Sequence, residues 1–380
     1  MALVLKPLLA LVLAILVLAA CAPLSPGPVP SPGPSGSPVA TARPADSKAS
    51  DLRTKLDLLL GEHTMLIAKQ AVAASNHTDE YSGYLTLLAS NANSLVDVMR
   101  SAYGNTEANQ FRQSWTAQNM YLVDYTIGVV THNDARSNGA MSGLINGFTP
   151  QFAQLLTSLA QLAVDSVTQL EAEQLADFKA TIDTEIAQSY AQLYADVRTA
   201  YAHSSRLGDM LALRMAQQFP DKFPGDTTIN SVEARVSLND LLQEDSFLTL
   251  MVSEAGIAGR GGEAANGLAA IAAVRADLSA VIGFLLGPEA RTAFPGVWGI
   301  RDADLFGYSN SSDAGARQRL TGSFVTEFSA LTHAPATSIL GQVTATLRAI
   351  DDQRAKAYKN VPGDDRAAAA AMQSIADQIG

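Results

Sequence analysis

The sequence predicts an all-α protein of two tandem antiparallel helical bundles, each of the four-helix-bundle type, after a disordered proline-rich linker. Three observations lead to this prediction. Apolar residues recur at spacings of three and four through residues 51–380, no long stretch alternates with period two, and only seven prolines follow residue 50. A residue pattern from the first half also recurs in the second.

The repeated pattern contains both tryptophans of the chain, Trp115 and Trp298, which lie 183 residues apart. The matched residues are Gly104, Phe111, Trp115 and Tyr125 in one copy and Gly287, Phe294, Trp298 and Tyr308 in the other. Upstream, Leu56, Leu59, Glu62 and Leu66 match Leu238, Leu241, Glu244 and Leu248 at an offset of 182. We therefore predict an internal duplication, with helical repeat 1 at 51–225 and helical repeat 2 at 231–380.

The N-terminal residues have the pattern of a secretory signal. Residues 1–20 carry one positive charge, Lys6, ahead of an apolar run at 8–18 that is too short for a permanent membrane span. The stretch Leu18-Ala19-Ala20-Cys21 resembles the lipobox of bacterial lipoproteins. That resemblance implies cleavage before Cys21, a diacylglycerol with palmitate-like chains on its thiol, and an extracytoplasmic protein anchored to the cell membrane or outer membrane.

Residues 21–50 are predicted to be a stalk. Eight of the sixteen prolines lie in 22–50, mixed with Ser, Gly and Ala, and this composition favours extended polyproline II over a packed core. A proline-rich docking ligand for a partner is the alternative. Because Cys21 is the only cysteine, its lipidation leaves no thiol for disulfides or metal sites.

Heptad-like spacing places the helices within each repeat. In repeat 1 we predict helices at about 51–75, 79–103 and 106–132, another beginning at Thr149-Pro150, and a long last segment ending at Phe219-Pro220. In repeat 2 we predict helices near 235–257, 263–286, 289–309, 314–333, 336–359 and 364–379.

The charge of the chain limits its partners. A formal net charge of −11 argues against nucleic acid, because no basic stripe is present to neutralise phosphates. The predicted partners are the membrane, through the lipid anchor, and an unknown envelope protein or small ligand.

One layer of polar residues interrupts the apolar residues that are expected to face the interior of each bundle. His63 and Gln118 are expected to face inward in repeat 1 as a neutral hydrogen-bonded pair. In repeat 2 the same positions hold Asp245 and Arg301, which can form a charge-assisted pair, with Arg275 as the alternative cation.

The histidines of repeat 1 also allow a metal hypothesis. His63, His203 and a carboxylate such as Glu62 could ligate a divalent metal inside a bundle, as in ferritin-like proteins. The Glu-x-x-His pairs of di-iron bundles are missing, and a hydrogen-bonded core histidine is the other interpretation of His63.

Several motifs together resemble a family of uncharacterised secreted helical proteins of bacteria, some joined to copper amine oxidase N-terminal-like domains. The motifs are Leu-Leu-Gly-Glu-His at 59–63, Tyr103-Gly104, Phe111-x-x-x-Trp115, Val123-Asp124-Tyr125 and the segment 218–223. The family has no established activity, and a histidine is common in it where this chain has Gln118.

The sequence therefore favours a lipid-anchored extracytoplasmic helical bundle that acts as a non-enzymatic binding or interaction module, with no cofactor. The alternative is a metal-binding or redox protein that uses His63 and His203. A hydrolase is disfavoured, since no local nucleophile or paired-carboxylate motif is present.

Overall fold

The computed structural model describes residues 45–379, which belong to one compact unit. Cys21, the signal sequence and residues 21–44 of the predicted stalk lie outside the described residues. Over the described range the chain forms fourteen α-helices and no β-strand. The prediction of an all-α fold is confirmed.

The helices fall into two successive sets of seven. The first set is α1 Lys48–Ser75, α2 Tyr81–Tyr103, α3 Asn105–Val130, α4 Asp134–Ser142, α5 Thr149–Ala160, α6 Val164–Ile186 and α7 Tyr190–Gln218. The second set is α8 Asn230–Ile257, α9 Gly261–Leu286, α10 Pro288–Ser311, α11 Ala314–Arg319, α12 Val325–Thr332, α13 Ala336–Arg354 and α14 Val361–Ile379.

Where a helix is predicted, its boundaries differ from the observed ones by a few residues, for local reasons. Helix α4 and the boundary between α6 and α7 are not predicted. Helix α1 begins before residue 51 because the Ser47 hydroxyl accepts a hydrogen bond from the backbone N–H of Ser50 at 3.1 Å. Helix α13 ends at Arg354, short of residue 359, and Lys356 then adopts a left-handed φ of 54°. The predicted helix at 314–333 is α11 and α12, joined by a π-helical turn at Leu320–Phe324.

The backbone repeats in the two sets. A π-helical turn at Gly143–Phe148 joins α4 to α5, as the turn at Leu320–Phe324 joins α11 to α12. The glycine between the second and third helices has a positive φ in both sets, 98° at Gly104 and 96° at Gly287. Only glycine adopts this conformation without steric cost, which explains why both copies have it.

Helices α1 and α8 are the central helices. Helix α1 packs against α2, α6, α7 and α8, and α8 packs against α9, α10, α13, α14 and α1. Both are buried on nearly every face over much of their length. Polar side chains on α1 and α8 are therefore held inside the protein, where each needs a partner.

Candidate functional site: the acidic groove between the repeats

The polar layer of repeat 2 is a buried ion pair. Arg301 Nη1 lies 2.8 Å from Asp245 Oδ2 and 2.9 Å from Asp302 Oδ1. Trp298 Nε1–H donates to Asp245 Oδ1 at 3.2 Å, and the guanidinium lies 4.3 Å from the centroid of the same indole. Asp245 and Arg301 are thus in contact, as the sequence predicts, whereas Arg275 pairs with Asp302.

The polar layer of repeat 1 has a different partner from the predicted one. His63 Nε2–H donates to Asn119 Oδ1 at 2.7 Å, and the predicted partner Gln118 is wrong. Asn119 is the counterpart of Asp302. In both repeats, the residue that follows the predicted one, Gln118 or Arg301, therefore also faces the interior of the repeat. Gln118 and His63 are each 1% exposed, and burial lowers the pKa of His63 to about 4, which keeps its ring neutral.

The three residues of the metal hypothesis have separate partners. His63 bonds Asn119, His203 Nδ1 contacts the Asp177 carboxylate, and Glu62 pairs with Arg366 at 2.7 Å. Within residues 45–379, no group of three or more His, Cys, Asp or Glu side chains is arranged to hold a metal ion. Metal ligation by His63, His203 and Glu62 stays a prediction.

Ion pairs cross reciprocally between the repeats. Each pair joins a residue of one repeat to a residue of the other, and its counterpart pair does the reverse. The pairs are Arg53 with Glu233 (2.6 Å), Arg235 with Asp51 (2.8 Å), Arg198 with Glu244 (2.9 Å) and Arg366 with Glu62 (2.7 Å). We call this zone the seam; it is bordered by equivalent residues of both repeats.

Two grooves flank the seam at equivalent positions. The acidic groove lies among α1, α7, α8 and α9, has a volume of about 420 Å³, and contains Asp57, Asp209 and Asp240. The neutral groove lies among α1, α8 and α14 and has a volume of about 470 Å³. Both volumes are in the range of small-molecule sites.

The two grooves differ in charge. Six carboxylates and two arginines line the acidic groove: Asp57, Asp209, Glu233, Asp240, Glu244 and Asp277 with Arg53 and Arg198. Three carboxylates and three cations line the neutral groove: Asp51, Glu62 and Asp377 with Lys55, Arg235 and Arg366. Only the acidic groove therefore has more carboxylates than cations.

Asp57 and Asp240 account for two of the four extra carboxylates. Their counterparts on the side of the neutral groove are Asn239 and Leu58, 182 residues away in each case. The Asn239 amide donates to the carbonyl oxygen of Arg235 at 3.0 Å and to Asp377 Oδ1 at 3.5 Å. Asp57, unlike Asn239, has no side-chain N–H group to donate. The contact of Asp57 with Asp209, which is equivalent to that of Asn239 with Asp377, therefore brings two carboxyl groups together.

Two carboxyls of the acidic groove, those of Asp57 and Asp240, have raised pKa values. Burial raises the pKa of Asp57 well above its ordinary value, and the charges of Asp240 and Asp209 raise it further. Burial also raises the pKa of Asp240 to about 8, and the charge of Asp209 is the second cause of this increase.

Asp57 packs closely against α7 and has unused hydrogen-bonding capacity. It is fully buried, and neither of its carboxyl oxygens has a donor within the described part of the chain. Gly208 of α7 makes room for it, since a Cβ there would lie 1.8 Å from Asp57 Oδ1. A buried polar group without a partner is costly, so a donor that enters the groove would be stabilised there.

The acidic groove was missed from the sequence, although a signal was present. The repeat alignment already sets Asp57 against Asn239 and Asp240 against Leu58. Asp209 is more than 150 residues from Asp57 along the chain, and only the packing of α7 on α1 brings the two together. The pattern alone did not indicate which helices form the seam.

Comparison of the chain with family models, curated proteins and solved structures found no match. The resemblances to lipoproteins and to secreted helical proteins stay predictions.

Proposed function

We propose that this protein is a non-enzymatic binding module, anchored outside the cytoplasm by a lipid on Cys21, whose acidic groove binds an organic cation. The single observation that supports the proposal most is the fully buried Asp57, whose two oxygens lack donors in a groove with an excess of carboxylates. A cation with several N–H groups supplies both the charge and the donors that this groove lacks.

The expected ligand class follows from the shape of the groove. Its carboxylates come from four helices and surround an open volume of about 420 Å³. An extended ammonium or guanidinium compound can donate to several of them at once, and each charge-assisted bond of this kind contributes about 1.5–3 kcal/mol. A net charge of −11 also attracts such ligands at long range.

The neutral groove provides an internal control. Its cations balance its carboxylates, and Asn239 satisfies Asp377 with an amide hydrogen bond. Equivalent crossed pairs of an arginine with a carboxylate lie on both sides of the seam, so they explain the joining of the repeats rather than the binding of a ligand.

The proposal is tested by calorimetric titration of residues 45–380 with spermidine at low salt. We expect saturable one-to-one binding that weakens with added salt and strengthens as the pH rises through about 8, because Asp240 then loses its proton. Asp57→Asn and Asp240→Leu, which install the residues of the neutral side, should each weaken binding about tenfold or more.

Asp51→Asn is the matched control, because it removes a carboxylate from the neutral groove. It should leave the spermidine affinity within about twofold, allowing for weak screened interactions. Absence of saturable binding to the unaltered chain, or an equal loss in Asp51→Asn, would refute the cation-binding proposal.

The proposed anchor has its own test. Growth of bacteria expressing the full chain with radiolabelled palmitate should label the protein, and Cys21→Ser should abolish the label and release the protein from the membrane fraction. A membrane-bound, unlabelled protein would contradict lipidation of Cys21.

A further inference from the structure

A second groove, in repeat 1, is lined by uncharged polar side chains. It lies between α3 and α5, has a volume of about 490 Å³, and is called here the glutamine groove. Its polar side chains are Gln110, Gln113, Ser114, Gln151, Gln154 and Ser158. No Asp, Glu, Lys or Arg lines it.

The floor of the glutamine groove is apolar and fixed. It is formed by Tyr121, Phe148 and Leu155. The Tyr121 ring packs on Gly143, where a Cβ would lie 2.4 Å from Tyr121 Cε1. The π-helical turn at Gly143–Phe148 places Phe148 at the floor, and such turns occur often at functional sites.

The glutamine side chains are available to a ligand. Gln110, Gln113, Gln151 and Gln154 are exposed, and their amides form no hydrogen bond with any residue of 45–379. Each amide offers two N–H donors and one carbonyl acceptor, so the walls of the groove present both kinds of group.

Repeat 2 lacks this surface but has the same framework. Phe324 stacks on Phe328 with centroids 5.5 Å apart, as Phe148 stacks on Phe152 at 5.0 Å, so α12 corresponds to α5. The residues that replace the six polar ones are Ala293, Gly296, Val297, Glu327, Ala330 and Ala334. The stacked aromatic core therefore does not need the glutamines.

We propose that the glutamine groove binds a neutral oligosaccharide. Sugar hydroxyls donate and accept hydrogen bonds at once, which matches a wall of amides and hydroxyls. The C–H face of a sugar ring is apolar and fits against the floor formed by Tyr121, Phe148 and Leu155. A charged ligand would find no opposite charge in this groove.

The test uses titration of residues 45–380 with maltotriose and with N-acetylchitotriose, followed by amide chemical shifts in nuclear magnetic resonance. We expect saturable binding of at least one of them, tighter than about 1 mM, with shifts centred on α3 and α5. In contrast to spermidine binding, the affinity should not change with salt, because no charges pair.

The variant that tests the site replaces three polar residues of the groove with alanine, the residue found at the equivalent positions of repeat 2. The triple substitution Gln110→Ala, Gln154→Ala and Ser158→Ala should weaken binding about tenfold or more while leaving the fold intact, because alanine favours helices and all three positions are exposed. The exposed Gln318→Ala in α11 is the control and should bind as the unaltered chain does.

Two outcomes would overturn the proposal. One is absence of saturable binding of both sugars. The other is undiminished binding in the triple variant, which would leave the glutamines as a solvated surface only. Neither outcome affects the acidic groove, whose spermidine binding is measured separately.

Discussion

The acidic and neutral grooves occupy equivalent places beside the seam. They differ at residues that take no part in the crossed ion pairs. Crossed pairs of an arginine with a carboxylate are present on both sides, whereas Asp57 and Asp240 on one side correspond to Asn239 and Leu58 on the other. The shared residues hold the two repeats together, and the residues that differ define a surface for binding. The polar centres of the repeats differ in the same way, a neutral pair in repeat 1 and an ion pair in repeat 2.

The largest expected effect concerns those polar centres. Arg301→Ala removes the cation that both Asp245 and Asp302 contact, and leaves two buried carboxylates without it. We expect a loss of about 3–5 kcal/mol in the free energy of unfolding, measured by urea denaturation. Gln118→Ala, at the equivalent position of repeat 1, should cost only about 1 kcal/mol. Equal losses would contradict the difference between the two centres.

Acidification should affect repeat 1 through His63. Its pKa is about 4 in the folded chain and about 6.5 when unfolded, so the unfolded chain binds more protons between these values. The contribution of neutral His63 is therefore complete above pH 6.5 and is lost as the pH falls towards 4. Between pH 7 and 4.5, the unaltered chain should lose about 2 kcal/mol more stability than His63→Gln, measured by urea denaturation at both values. Equal losses would show that His63 is not buried as a neutral ring.

A third expected effect is a gain in stability in the acidic groove. Asp240 keeps its proton up to a pKa of about 8 in the folded chain, whereas an unfolded aspartate ionises near 4. The cost of this buried carboxyl therefore grows as the pH rises from 4 to 8. Asp240→Leu should therefore stabilise the chain at pH 8 and stabilise it much less at pH 5, measured by thermal unfolding.

Asn239→Leu on the neutral side is the comparison for that prediction. Asn239 is not ionisable and donates two hydrogen bonds, so its replacement should destabilise the chain by about 1 kcal/mol at both pH values. A pH-independent effect of Asp240→Leu would contradict the assignment of a proton to Asp240.

The sequence predicted the helices and one buried pair for clear physical reasons. Helical periodicity indicates which face of a helix is buried. A buried aspartate such as Asp245 requires a nearby cation, and the repeated pattern indicated Arg301 as that cation. The choice between Gln118 and Asn119 depended on a rotation of α3 that periodicity does not resolve. The seam could not be predicted, because contacts such as Arg53 with Glu233 join residues 180 apart and depend on how the repeats pack.

The most direct test of the central claim is a crystal structure of residues 45–380 with spermidine at saturating concentration. The account predicts the amine in the acidic groove, with nitrogen atoms within about 3 Å of carboxyl oxygens of Asp57, Asp209 or Asp240, and an unchanged neutral groove. Spermidine bound in the neutral groove, or bound equally in both, would contradict the claim that the differences between the repeats define the binding site.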